Sequence, residues 1–272
     1  MGEDQLQMKY VSLHHHTTYS YMDGFGSPMT HAQRAADLGM TALALTEHGN
    51  ISSHVKHMLA CQKVGIKPLF GLEAYTAPSN MREMEYVDKK GAVRVGMSQK
   101  AHLTLLAMDE TGLHNLNQIV TKSWAEGFYR WPTVTGEMLK DHHEGLICLS
   151  GCADSMLANA LLGGKWIRKG DERAAIKTML AFKKLFGDRY YLETQQFPEL
   201  ARSGQLNQWY EQMGKKYGIK LAATSDCHYP FPDDNEIQKI LHAAGRNIGT
   251  VSAAEAGWEY DIRLTFPTSD AG

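Results

Sequence analysis

Residues 41–75, TALALTEHGNISSHVKHMLACQKVGIKPLFGLEAY, read as strand, loop, helix, glycine and strand. Thr41–Thr46 is a short apolar run of the kind that forms a buried strand. ISSHVKHMLACQKV carries a helix, and Gly65 closes it as a C-cap. Ile66–Tyr75 is the next strand. Working outward, Met8–Leu13 reads as a short strand. Ser27 and Pro28 start a helix as N-cap and first-turn proline, and Gly39 stops it. HLTLLA (His102–Ala107), EGLICLS (Glu144–Ser150), RYYLET (Arg189–Thr194) and IKLAATSD (Ile219–Asp226) continue the strand series. Helical stretches lie between most of them, and a last one covers about Asn235–Ala244. This alternation predicts a parallel sheet. No Gly-x-Gly-x-x-Gly or Walker loop follows a strand, so a closed or nearly closed barrel is predicted. Its chemistry belongs at the C-terminal strand ends. Residues 78–100 turn polar and irregular and read as an inserted excursion, a hairpin on the barrel rim. The tail from Ile248 gives no clear pattern.

The chain has 272 residues, 43% of them hydrophobic and 21% charged, the balance of an ordinary globular protein. A single domain over residues 1–272 is predicted. Lys and Arg total 28 against 30 Asp and Glu, a formal charge of −2, which excludes a basic nucleic-acid binder by bulk charge. Any DNA contact must then be local, or run through metal ions or a partner. No window approaches the roughly 20 apolar residues of a membrane span, and the first residues lack the pattern of a signal peptide. Cys61, Cys148, Cys152 and Cys227 do not form a secreted disulfide framework. A reducing cytoplasm is the expected location.

Metal-ligating residue types collect at the strand ends. His14 and His16 close the first strand, and residues two apart in extended chain share a face. The flanking VSL and TTYS argue against an appended tag. His48 closes the second strand in TEHGN, Glu73 lies near the end of the third, and Cys152 follows LICLSG. Asp226 and His228 share a face in SDCHY. His102 opens its strand instead of closing it, which counts against it on geometry alone. Each has an ordinary alternative: a hydrogen-bonded histidine, a solvated glutamate, a packed cysteine. Their joint occurrence at one end of one sheet carries the argument for metal. Imidazole and thiolate suit zinc; carboxylates suit manganese or magnesium and can bridge two ions.

LHHHTTYSYMDG, LALTEHGN, GIKPLFGLEAYTAP, HLTLLA, CLSGC and SDCHY, in that order, resemble the PHP domain of bacterial or phage DNA polymerase III α subunits. The resemblance covers about Tyr10 to Tyr229. It implies a distorted seven-stranded (β/α) barrel with three divalent metal ions, zinc or manganese, with iron or magnesium as alternatives. The ligands it implies are His14, His16, Asp23, His48, Glu73, His102, Cys152, Asp226 and His228. His14, His16, Glu73 and Asp226 would share one ion. Glu73, His102 and Cys152 would hold a second, and Asp23, His48 and His228 a third. Glu47 stands where the family usually has Asp, a change expected to act through its neighbours and not as a ligand.

The resemblance further implies a 3′–5′ exonuclease that proofreads a DNA 3′ end, with Asp226, His14 and His228 as catalytic residues. Polymerase domains of the same parent chain are the implied partners, and host cytoplasm is the location if the chain is phage-encoded. The sequence fits a domain cut from a longer polymerase, without a polymerase site of its own. Two alternatives remain: a non-catalytic, metal-stabilised scaffold, and a small-molecule PHP phosphoesterase. The aromatic stretch Trp124, Phe128, Tyr129 and Trp131, with Arg130, either packs the rim or stacks bases at a single-stranded end.

Overall fold

A computed structural model describes residues 10–77, 83–87, 93–97, 101–129, 131–164, 169–245 and 262–267. The first half of the chain contains α1 (Pro28–Asp37), β1 (Ala42–Leu45), α2 (His54–Val64), β2 (Lys67–Thr76), β3 (Glu83–Val87), β4 (Val93–Met97), β5 (Ala101–Ala107) and α3 (Glu110–Ala125). The second half adds β6 (Phe128–Tyr129), β7 (Trp131–Val134), α4 (Gly136–Asp141), β8 (Leu146–Leu149), α5 (Met156–Leu162), α6 (Glu172–Phe186), β9 (Tyr190–Gln195), α7 (Ala201–Tyr217), β10 (Lys220–Thr224) and α8 (Asn235–Gly245).

The strands close on themselves. β10, β9, β8, β5 and β2 are hydrogen-bonded in that order, and β1 pairs with β2. The leading segment fills the gap, because Ser12 bridges Leu43 of β1 and His15 bridges Cys227 just past β10. The His16 amide donates to the Cys227 carbonyl at 2.7 Å, and the Ala44 amide to the Ser12 carbonyl at 2.9 Å. Among the described residues the ring therefore has seven members, as the resemblance implied. β3 and β4 form a separate antiparallel pair within 78–100, where a hairpin was expected.

Within the ring, the expectation of a parallel sheet is corrected at one strand. β5 runs antiparallel to both β2 and β8. The reason lies in the connection: a parallel return needs a crossover, usually a helix, and the described elements between β2 and β5 are two strands. The reversal also answers the objection to His102. A residue that opens an antiparallel strand lies at the end where the parallel strands close.

The barrel interior is layered. Leu13, Ala44, Leu69, Leu106, Ile147, Leu149, Tyr191 and Ala222 form one apolar cluster. Every member of the ring contributes to it, so it fills the lumen. Alternation along β2 then carries Leu69, Gly71 and Glu73 up one face, from apolar floor to polar mouth. A larger core lies outside the sheet, where Leu72, Leu103, Leu105 and Cys148 pack with Leu116, Ile119, Met179, Leu206 and Tyr210 of the covering helices.

Helix ends follow the sequence with one exception. Ser27 caps α1 by accepting from the Thr30 amide, and Gly65 ends α2 at a φ of 78°. Ser53 stands at the N-cap of α2 but makes no cap bond. Its hydroxyl donates instead to Glu47 at 3.2 Å.

Gly71 separates the floor from the mouth. A Cβ there would lie 2.6 Å from the Leu105 carbonyl oxygen and 2.7 Å from the Thr46 methyl. Gly71→Ala is therefore expected to lower stability by about 1–3 kcal/mol, the usual cost of overpacking. A denaturant midpoint unchanged from wild type would contradict this view of the lumen.

Candidate metal centre

Glu73 sits in the middle of the barrel mouth, fully buried. Four histidines surround its carboxylate. His14 Nε2 lies 3.2 Å from Oε1, His102 Nδ1 3.0 Å from Oε1, and His16 Nε2 3.5 Å from Oε2. His48 Nδ1 is in close contact with Oε2. Asp226 joins from the far side, its Oδ1 lying 3.3 Å from His14 Nε2 and 3.4 Å from His16 Nε2. Asp23 contacts His48 Nε2 at 2.7 Å and His228 Nε2 at 3.6 Å. Cys152 Sγ lies 3.3 Å from His102 Nδ1. The nine residues named from the resemblance thus form one connected network, drawn from six ring members and the loop after the leading segment.

The hydrogen bonds orient the rings. His14 Nδ1 donates to Glu193 at 2.6 Å, His16 Nδ1 is bonded to Ser20 Oγ at 2.9 Å, and His228 Nδ1 donates to the Asp226 carbonyl at 2.7 Å. Each leaves its Nε2 facing the centre. His14 Nε2, His16 Nε2, His48 Nδ1, both Glu73 oxygens and Asp226 Oδ1 are buried without a properly aligned hydrogen bond among the described residues. Buried polar atoms are normally satisfied. Six that converge on one small volume are what a set of cations would satisfy, and their mixture of imidazole nitrogen and carboxylate oxygen suits divalent ions.

Electrostatics agree. Burial works to raise the Glu73 carboxyl, but His102, His48 and His14 together hold it well below the usual range. Asp226 is likewise held low against burial by His14 and His228. Burial works to lower His48, yet Glu73 and Asp23 raise it to about 10, so without metal a proton stands between those carboxylates. Burial, reinforced by Glu73 and Asp226, pushes the Cys152 thiol well up. A coordinating cation would have to displace that proton. Asp226 also adopts a φ of 47°, a left-handed conformation that a non-glycine residue rarely takes. Such strain tends to occur where a side chain must be aimed.

Two supporting residues, Glu193 and His242, escaped the sequence reading. Glu193 on β9 is buried and accepts from His14, from Thr224 at 2.6 Å, from Thr104 at 3.1 Å and from the Gly151 amide at 3.1 Å. With its oxygens so engaged it fixes the His14 ring. The available signal was a charged residue in the middle of an apolar strand. Glu47 is also buried. It accepts from the Thr17 amide and hydroxyl and from Ser20 at 2.5 Å, so it steadies His16 through Ser20. This is the indirect role expected of the Asp-to-Glu difference. His242 on α8 makes a close contact with Asp23, and nothing in an amphipathic helix marks it in advance. Of the aromatic stretch, Trp124 donates to the Gly49 carbonyl at 2.9 Å and stacks on Phe128. Trp131 meets Tyr75 edge-on, and Tyr75 stacks on His48. Arg130 lies outside the described residues.

Three comparisons bear on this geometry. A family model described as the PHP domain matches residues 12–197. The chain is 35% identical over 240 residues to the DNA polymerase III subunit alpha of Treponema pallidum, covering 88% of this chain and 19% of that one. It is 33% identical over 239 residues to the same subunit of Thermus aquaticus, covering 87% and 18%. The chain thus spans about a fifth of the length of these relatives. A solved amidohydrolase from Chromobacterium violaceum aligns with a TM-score of 0.46 at 15% identity, over 81% of this chain and 88% of that one.

If Glu193 holds His14 for metal, Glu193→Gln should weaken binding of one ion by about 10–100-fold, the usual effect of losing a carboxylate behind a histidine ligand. Metal titration of the purified chain reads this directly. Unchanged affinity for every ion would show that Glu193 only supports the fold.

Proposed function

The chain belongs to the PHP domain family, and on that premise we propose that it is a metal-dependent phosphoesterase that removes nucleotides from a DNA 3′ end. The carrying observation is the group of six unsatisfied buried atoms around Glu73. His14, His16, Glu73 and Asp226 would hold one ion, Glu73, His102 and Cys152 a second, and Asp23, His48 and His228 a third. Such ions would supply polarisation of a phosphoryl oxygen and a hydroxide near neutral pH.

The protein's own groups supply positioning. Glu193 and Ser20 lock His14 and His16 with their Nε2 atoms inward. Asp226 and His228, adjacent on one face, present a carboxylate and an imidazole to the same side. Asp226 lies 3.3 Å from His14 and 3.6 Å from His228, which makes Asp226, His14 and His228 the proposed catalytic group. Glu73 lies at the bottom and Asp23, about a quarter exposed, toward solvent, so a phosphodiester would enter past Asp23. DNA is favoured as substrate because the similar chains are named as DNA polymerase subunits. With a net charge of −2 the domain has little general attraction for DNA. Polymerase domains of a longer parent chain would deliver the 3′ end. A scaffold reading has one observation behind it: side chains from several barrel strands meet at Glu73, so ions held there would tie those strands together, and metal binding of that kind stabilises folds by itself.

The test is digestion of 3′-labelled single-stranded DNA with added manganese or zinc, comparing wild type with Asp226→Asn. Metal-dependent release of label by the wild type, reduced at least 100-fold in the variant, is expected on the scale of losing one group that stabilises transition-state charge (about 10²–10³-fold). Bound metal with no release from any 3′ end, alone or joined to polymerase domains, would leave the scaffold reading.

A further inference from the structure

The residues between the inward ligands point the other way. His15 lies between His14 and His16, and Cys227 between Asp226 and His228. Strand alternation turns both out of the lumen, toward α1, where they meet His31. All three are fully buried, and one ligand atom from each lies within 4.8 Å of the others. The surroundings are apolar, with Ala32, Ala35, Met40, Cys61 and Phe266 in the same cluster as Cys227. The Phe266 ring lies 5.3 Å from the His15 ring and 5.9 Å from the His31 ring.

A proton count exposes a deficit. His15 Nδ1 faces the Ala44 carbonyl at 3.0 Å, and His31 Nε2 faces the Phe25 carbonyl at 2.7 Å. The two remaining ring nitrogens, His15 Nε2 and His31 Nδ1, face each other at 2.6 Å. Three contacts need three protons, and two neutral imidazoles carry two. With both carbonyls satisfied, two lone pairs confront each other beside the Cys227 sulfur. One additional cation would satisfy all three contacts at once. A third proton would make a buried imidazolium, and among the described residues the main influences on each ring include no carboxylate. Burial pushes His31 down to about 4, which disfavours that form. A metal ion brings its own counter-charge, because it converts the Cys227 thiol to thiolate.

We propose that His15 Nε2, His31 Nδ1 and Cys227 Sγ form a further metal site, separate from the Glu73 centre, for one soft cation of the zinc or copper(I) class. Two imidazoles and a thiolate are the donors such ions select over magnesium or calcium. The proton released from Cys227 passes to solvent, and its present bond to the Tyr229 carbonyl, 3.3 Å, is given up. An ion at normal bond lengths would part the two nitrogens to about 3.3 Å. The site is also shaped around His31: a Cβ on Gly26, whose φ is +97°, would lie 2.8 Å from His31 Nε2. A copper(I)–thiolate pair is neutral in this apolar setting, whereas zinc leaves one positive charge.

The experiment counts metal. Wild type, His31→Gln and Cys227→Ser chains are stripped, loaded with zinc or, under reducing anaerobic conditions, with copper(I), desalted and analysed for metal per chain. Wild type is expected to retain one equivalent more than either variant in at least one of the two metals, and that metal identifies the ion. In the cobalt-loaded form, Cys227→Ser should lose part of the thiolate charge-transfer absorption while His48→Ala keeps that part. Circular dichroism confirms that each variant is folded; Gln at position 31 can still donate to the Phe25 carbonyl. Equal metal content in all three chains with both metals would overturn the proposal and assign the deficit to a third proton. Loss of several equivalents at once would also overturn it, by showing that the variants act through the Glu73 centre. DNA digestion plays no part in the readout, so this site and the proposed activity stand or fall separately.

Discussion

A buried carboxylate governs this molecule. Glu73 carries its charge at the centre of the barrel mouth with no aligned hydrogen-bond donor on either oxygen among the described residues. An isolated charge in such a place costs several kcal/mol. The chain meets that cost by surrounding Glu73 with His14, His16, His48 and His102, brought from three different ring members. Divalent cations held there would complete the arrangement. The architecture follows from this need: a closed ring is the arrangement that lets distant segments converge on one carboxylate, and the apolar floor of Leu69, Leu106 and Tyr191 seals it from below.

Around the ligands lies an equally specific set of supports. Glu193 serves His14, the Ser20–Glu47 pair serves His16, and a main-chain carbonyl serves His228. The supports take polar groups away from ordinary structural work. Ser53 gives up capping α2 to satisfy Glu47, and Asp226 accepts a left-handed backbone. These are places where local preference yields to the site.

Much of this was legible from period-two alternation and strand ends. His14 with His16, and Asp226 with His228, share a face as their spacing required. Helix limits near Ser27 and Gly65 followed from caps. His102 was readable as a ligand type but not as well placed, because strand direction depends on a connection and not on the strand's own residues. Asp23 entered only through family resemblance, since a loop aspartate has no periodicity to betray it. Glu193 and His242 were missed because each acts through another side chain: their partners lie 179 and 219 residues away in sequence. The same alternation that revealed the inward ligands also sends His15 and Cys227 outward, and only the fold shows that His31 waits there.

The most direct measurement is anomalous diffraction from crystals of the chain grown with manganese or zinc, recorded at the metal edge. The account predicts ions inside the barrel mouth, with at least two bound to the Glu73 carboxylate and the Nε2 atoms of His14 and His16 directed at one of them. Anomalous density absent from the mouth, with Glu73 protonated or hydrogen-bonded to the four histidines alone, would contradict it.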